Sequence, residues 1–85
     1  MISLELEVNY KNAPVKIEAK ELPLNRVSCL AISDRFIFKE RVFKLGREYE
    51  YLEKMDVYNC LIRYFNGLKE YEVNNGNDNV IKSDN

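Results

Sequence analysis

Eighty-five residues make a single domain with a small core, since a chain of this length buries about 60–65% of the surface it exposes when unfolded. An apolar fraction of 46%, with six tyrosines and four phenylalanines, excludes disorder of the whole chain, and a formal net charge of −1 excludes attachment to nucleic acid by bulk charge. The charge is bipolar nonetheless, net +4 from Arg26 to Arg47 and net −4 from Glu48 to Asn85.

Ile2, Leu4, Leu6, Val8 and Tyr10 alternate with Ser3, Glu5, Glu7 and Asn9, the period-two pattern of a half-buried strand. Lys11-Asn12-Ala13-Pro14 reads as a four-residue loop that pairs Tyr10 with Val15, Val8 with Ile17 and Leu6 with Ala19. In that register Glu5 meets Lys20, and Glu7 meets Glu18. Leu22-Pro23-Leu24-Asn25 ends the return strand at a corner, because proline has no N–H for a ladder and restrains the residue before it. From Arg26 to Ile32 two forms are open. One is a strand with Val27, Cys29 and Ala31 on one face; the other is a two-turn helix, capped by Asn25, that buries Val27, Leu30 and Ala31. The strand is favoured. Ser33-Asp34 signals a turn, Arg35 to Lys39 a strand with its aromatics on one side, and Glu40 to Lys44 leads into a corner at Gly46.

Asn66-Gly67 lies between two alternating runs and predicts a two-residue hairpin, because such loops require positive φ at both central positions. Arg63 then faces Glu70, Ile62 faces Tyr71 and Cys60 faces Val73. A second turn near Lys54, Met55 and Asp56 sets Tyr51 against Cys60, Tyr49 against Ile62 and Glu48 against Arg63. The expectation is a three-stranded meander with Arg63 between Glu48 and Glu70, and with Tyr49, Tyr51, Tyr58 and Tyr71 facing inward. Its outward face carries Leu52, Leu61, Phe65 and Leu68 beside Glu50, Glu70 and Glu72. Beyond Val73 the composition turns polar, so residues 1–73 are read as one β domain and 74–85 as a flexible tail in which Val80-Ile81 offers a short edge strand.

The run Phe43-Lys44-Leu45-Gly46-Arg47-Glu48-Tyr49-Glu50-Tyr51-Leu52, followed by a turn, a strand and an Asn-Gly hairpin, resembles the F-x-x-G-x-x-Y pattern of small SH3-like β-barrels of phage and mobile-element type. That resemblance implies a binding scaffold, and it brings no catalytic residue with it. The fold class expected is all-β: a small SH3-like barrel or a two-layer antiparallel β fold, with at most one short helix.

Histidine is absent, which removes the commonest acid-base residue and metal ligand, and the three glycines are isolated, so no phosphate loop is formed. Glu48 with Glu50, and Glu70 with Glu72, read as acidic surface. Cys29 and Cys60 have no CxxC spacing and fall on apolar faces, so they are expected to be buried free thiols. No enzyme activity, metal or cofactor is expected. With no apolar run near the ~18 residues that span a bilayer, and no signal-peptide pattern, the expected setting is the cytoplasm, away from membranes.

Two surfaces compete for function. The apolar strip Leu52, Leu61, Phe65 and Leu68, rimmed by glutamates, is expected to be covered by a second layer of the chain, as small sheets usually are, and where it is left bare it suits a protein partner or another copy of the chain. The stretch from Arg35 to Arg47 interleaves Arg35, Lys39, Arg41, Lys44 and Arg47 with Phe36, Phe38 and Phe43, which suits phosphates and stacked bases. The first defines the favoured function, a non-enzymatic protein-binding module such as a small phage or mobile-element regulator or inhibitor of a host factor. The second defines the alternative, binding of single-stranded nucleic acid or a nucleotide.

Overall fold

A computed structural model describes residues 1–46 and 51–73; the polar tail and its Val80-Ile81 pair lie outside the described residues. Strand β1 (Ser3–Tyr10) turns into β2 (Ala13–Leu22) through Lys11 and Asn12 alone, both at positive φ, 50° and 65°, as a type I′ turn demands. The loop is therefore two residues long, not four. The register moves by two, setting Val8 against Val15, Leu6 against Ile17 and Leu4 against Ala19. An even shift leaves every side chain on its expected face, so the apolar row survives and only the charge pairs change. Glu7 now faces Lys16, and Glu5 faces Glu18, which also lies 3.8 Å from the Lys16 ammonium.

The Pro23 corner is a second tight hairpin. Leu22 opposes Arg26 across Pro23, Leu24 and Asn25, the last two at φ 67° and 53°. Arg26–Ile32 forms strand β3, with Val27, Cys29 and Ala31 buried as the period-two pattern requires, so the two-turn helix is not formed. Beyond it, Ile37–Phe38 (β4) pairs with the end of β3 at Ile32, while Arg41–Lys44 (β5) pairs with its beginning, Val27 opposite Phe43.

The expected meander of the second half is absent. Lys54–Asn66 is an α-helix (α1), followed by a 3₁₀ turn at Leu68–Tyr71 and a two-residue strand, β6 (Glu72–Val73). Val57, Cys60, Leu61 and Tyr64 recur at i, i+3, i+4 and i+7 and are the helix's buried stripe. Its start is fixed by Asp56, whose carboxylate accepts the Glu53 N–H at 2.8 Å. Asn66-Gly67, the presumed hairpin, is its end: Gly67 has φ −104°, and its N–H returns to the Arg63 carbonyl. A type I′ turn, which needs positive φ at both central residues, is impossible there, and Asn66 closes the helix instead of opening a strand.

The sheet is antiparallel, in the order β1-β2-β3-β4-β6 with β5 also on β3, and it stays open. Among the described residues side chains alone join its two ends, where the Tyr10 hydroxyl donates to Glu72 at 3.1 Å and the Lys11 ammonium lies 3.2 Å from the same carboxylate. The second layer is the helix. It covers one face of the sheet, burying Val15, Ile17 and Ala19 of β2 and Val27, Cys29 and Ala31 of β3 in one cluster with its own stripe and with Phe38, Phe43, Leu52 and Leu68.

Candidate functional site

The apolar strip expected on the meander's outer face lies inside. Leu52, Leu61 and Leu68 are 5%, 1% and 2% exposed, and Phe65 is half-buried against the same cluster. In a strand these residues shared an outer face, whereas the helix turns Leu61 onto the sheet. Arg63 makes no ion pair with Glu70, and Glu48 lies outside the described residues; the Arg63 guanidinium instead covers the Phe43 ring, 5.0 Å from its centroid.

The basic-aromatic stretch is split in two. Around Phe36, the Arg35 guanidinium stands 5.2 Å and the Lys11 ammonium 5.7 Å from the ring centroid, and Tyr10 meets Phe36 and Phe38 edge-on, both at 5.5 Å. Burial, then the bond to Glu72, holds the Tyr10 hydroxyl above its ordinary pKa. Around Phe43, Arg41 packs 4.4 Å from the centroid and hydrogen-bonds the Tyr71 hydroxyl. Phe38 and Phe43 are core residues, while Lys39 and Lys44 are exposed and Arg47 lies outside the described residues. The positive charges are thus spread around the protein's own rings and do not converge on one cleft.

What the residue pattern missed is the face of the sheet that the helix leaves bare. Ile32 opposes Ile37, and Ile37 opposes Val73, so three β-branched side chains form one row across β3, β4 and β6. They are 45%, 57% and 40% exposed, and Val42, opposite Ser28 on the same face, is 43% exposed. Half-buried Leu30 continues the apolar surface into a shallow depression of about 210 Å³ lined by Glu18, Lys20, Leu22, Ser28, Leu30 and Glu40. Glu40 accepts a hydrogen bond from the Ser28 hydroxyl there. A signal existed: Leu30, Ile32, Ile37 and Val42 are apolar at positions where the strand alternation calls for polar residues.

Neither thiol suits nucleophilic chemistry. Both cysteines are free and buried; burial, then the neighbouring Cys60, pushes Cys29 up to about 12 against the pull of Arg41, and burial raises Cys60 as well. Among the described residues no three His, Cys, Asp or Glu side chains gather as a metal site, and no helix is long and apolar enough to cross a membrane. No family model, curated protein or solved structure matches the chain.

Proposed function

We propose that the chain is a non-enzymatic protein-binding module that docks a partner protein on the helix-free face of its sheet, with Ile37 at the centre. The observation that carries this reading is the row Ile32, Ile37 and Val73, in which adjacent strands each present a β-branched side chain to solvent. Scattered apolar exposure is ordinary, but a row continued by Val42 and Leu30 is the apolar centre of an interface, and Lys16, Glu18, Lys20 and Glu40 supply the mixed-charge rim. The partner that fits is a globular surface with its own apolar centre and polar rim. Kinship with small SH3-like regulators or inhibitors of phage and mobile-element type rests on the sequence pattern of Phe43, Gly46 and Tyr49 alone, since the Asn66-Gly67 hairpin that accompanied it is a helix end, and a cytoplasmic setting on the two free thiols. The nucleic-acid alternative is not adopted, because the phenylalanine rings of that stretch are buried or covered by the protein's own cations and tyrosines.

The test is affinity capture from the native cell with wild-type and Ile37→Asp chains, alongside sedimentation to detect a second copy as the partner. A partner held by the wild type and lost on Ile37→Asp, with unchanged circular dichroism, supports the assignment. Equal capture by both chains removes it.

A further inference from the structure

Strand β1 is an edge of the sheet. Its residues pair with β2 on one side, and no strand among the described residues lies on the other. The bond from the Glu21 N–H to the Ile2 carbonyl sets the phase of the β1–β2 ladder. Even-numbered residues of β1 direct their N–H and C=O groups to β2, so Ser3, Glu5, Glu7 and Asn9 direct theirs to the open edge.

Two rows of side chains accompany those groups. On the helix side Leu4, Leu6 and Val8 are only half-buried, whereas their β2 partners Ala19, Ile17 and Val15 are 0–1% exposed. The helix covers β2 fully and leaves the β1 row short of cover. On the opposite face Glu5 and Glu7 are exposed. Protein edges are commonly blocked by proline, charged side chains, a bulge or an inward-pointing charge; β1 has no proline, lysine, bulge or inward-pointing charge, and Glu5 and Glu7 are its charged side chains. Its glutamates point outward, where they select a partner. A second copy is a poor occupant: antiparallel registers centred on Glu5, Leu6 or Glu7 all set glutamate against glutamate. The complement is already displayed within the chain, where Val15, Lys16 and Ile17 of β2 face Val8, Glu7 and Leu6.

We propose that the β1 edge accepts an extended segment of another polypeptide in which apolar and basic residues alternate. Its backbone joins the ladder at Ser3, Glu5, Glu7 and Asn9, its apolar residues complete the Leu4, Leu6 and Val8 row, and its Lys or Arg side chains lie opposite Glu5 and Glu7. This surface is separate from the helix-free face.

The probes are the peptides acetyl-VKVKVKV-amide and acetyl-VEVEVEV-amide, with affinity read by fluorescence anisotropy and edge occupancy by amide hydrogen exchange. The basic peptide should bind at least 10-fold more tightly than the acidic one and slow exchange at Ser3, Glu5, Glu7 and Asn9. Glu5→Lys with Glu7→Lys should reverse the preference; Glu5→Gln with Glu7→Gln, which adds no new charge, should erase it. Ile37→Asp should leave it unchanged. Four outcomes overturn the proposal: binding without protection of those four amides, protection by both peptides alike, protection already present in the free chain, or protection that grows with protein concentration alone.

Discussion

The Tyr64 hydroxyl donates to the Lys39 carbonyl oxygen at 2.5 Å and accepts the Ala31 N–H at 3.3 Å. One fully buried side chain of the helix thus satisfies the backbone at the end of β3 and in the connection between β4 and β5, while its ring stacks flat on Tyr71, centroids 4.7 Å apart. Tyr64→Phe keeps the ring and removes both bonds. Leaving a buried backbone group unpaired costs about 1–3 kcal/mol, and in a domain of this size each kcal/mol moves the melting temperature by about 4–8 °C. Thermal unfolding should show a fall of that size. A shift within error would mean that the hydroxyl's two partners are satisfied without it.

Leu24 is out of place at its hairpin. It is 87% exposed and holds φ 67°, a left-handed conformation that costs an L residue with a bulky side chain roughly 1–2 kcal/mol. Little packing is lost by changing it. Leu24→Asn, which tolerates that conformation and adds less chain entropy than glycine, should raise the urea midpoint by the equivalent of about 0.5–1 kcal/mol. A lower midpoint would show that the leucine side chain makes a contact its exposure conceals.

The first two strands were legible because alternation runs nearly the whole length of each, and the third only as the favoured of two forms, since Leu30 and Ile32 break its alternation. Their register was misjudged on one residue. Pro14 reads as part of a turn, yet it sits within β2 opposite Asn9, a non-hydrogen-bonded position where its missing N–H would point away from β1, and β3 pairs with β2 only from Lys16 onward. The helix was hidden by two overlapping patterns. Tyr58, Cys60 and Ile62 alternate as a strand would, Val57, Cys60, Leu61 and Tyr64 repeat as a helix would, and Asn66-Gly67 tipped the choice towards a hairpin. The bare sheet face followed the same error, since which apolar residues remain exposed depends on where the second layer is laid.

Alkaline pH should destabilise the protein in part through Cys29, alongside Cys60 and Tyr64, which burial also holds protonated. The Cys29 thiol, ordinarily near 9.0, is raised to about 12 by burial, so the folded chain keeps a proton that the unfolded chain loses. Stability from this group is complete below pH 9 and declines as pH rises towards 12, with a slope approaching about 1.4 kcal/mol per pH unit. Urea titrations at pH 8, 9, 10 and 11 should therefore fall more steeply for the wild type than for Cys29→Ala, whatever packing the substitution itself removes. Parallel curves would show that the thiol ionises as readily folded as unfolded. Neither cysteine should react with iodoacetamide at pH 7.5 until denaturant is added.

Leu61 and Ile37 are both apolar residues for which aspartate is the informative substitution, and the fold assigns them opposite fates. Leu61 is 1% exposed in the stripe between helix and sheet, so Leu61→Asp removes packing worth about 2–5 kcal/mol and places a carboxylate where no partner awaits it. Set against the 5–15 kcal/mol that holds a typical domain together, that loss is large enough to leave the chain mostly unfolded at 37 °C. Ile37 is 57% exposed in a two-residue strand, and Ile37→Asp should cost about 1 kcal/mol or less. Circular dichroism and urea unfolding of the two variants decide the matter. A folded Leu61→Asp chain would place Leu61 on the outside, as the meander had it, and would leave the helix-free face without its claim to be the bare side of the sheet.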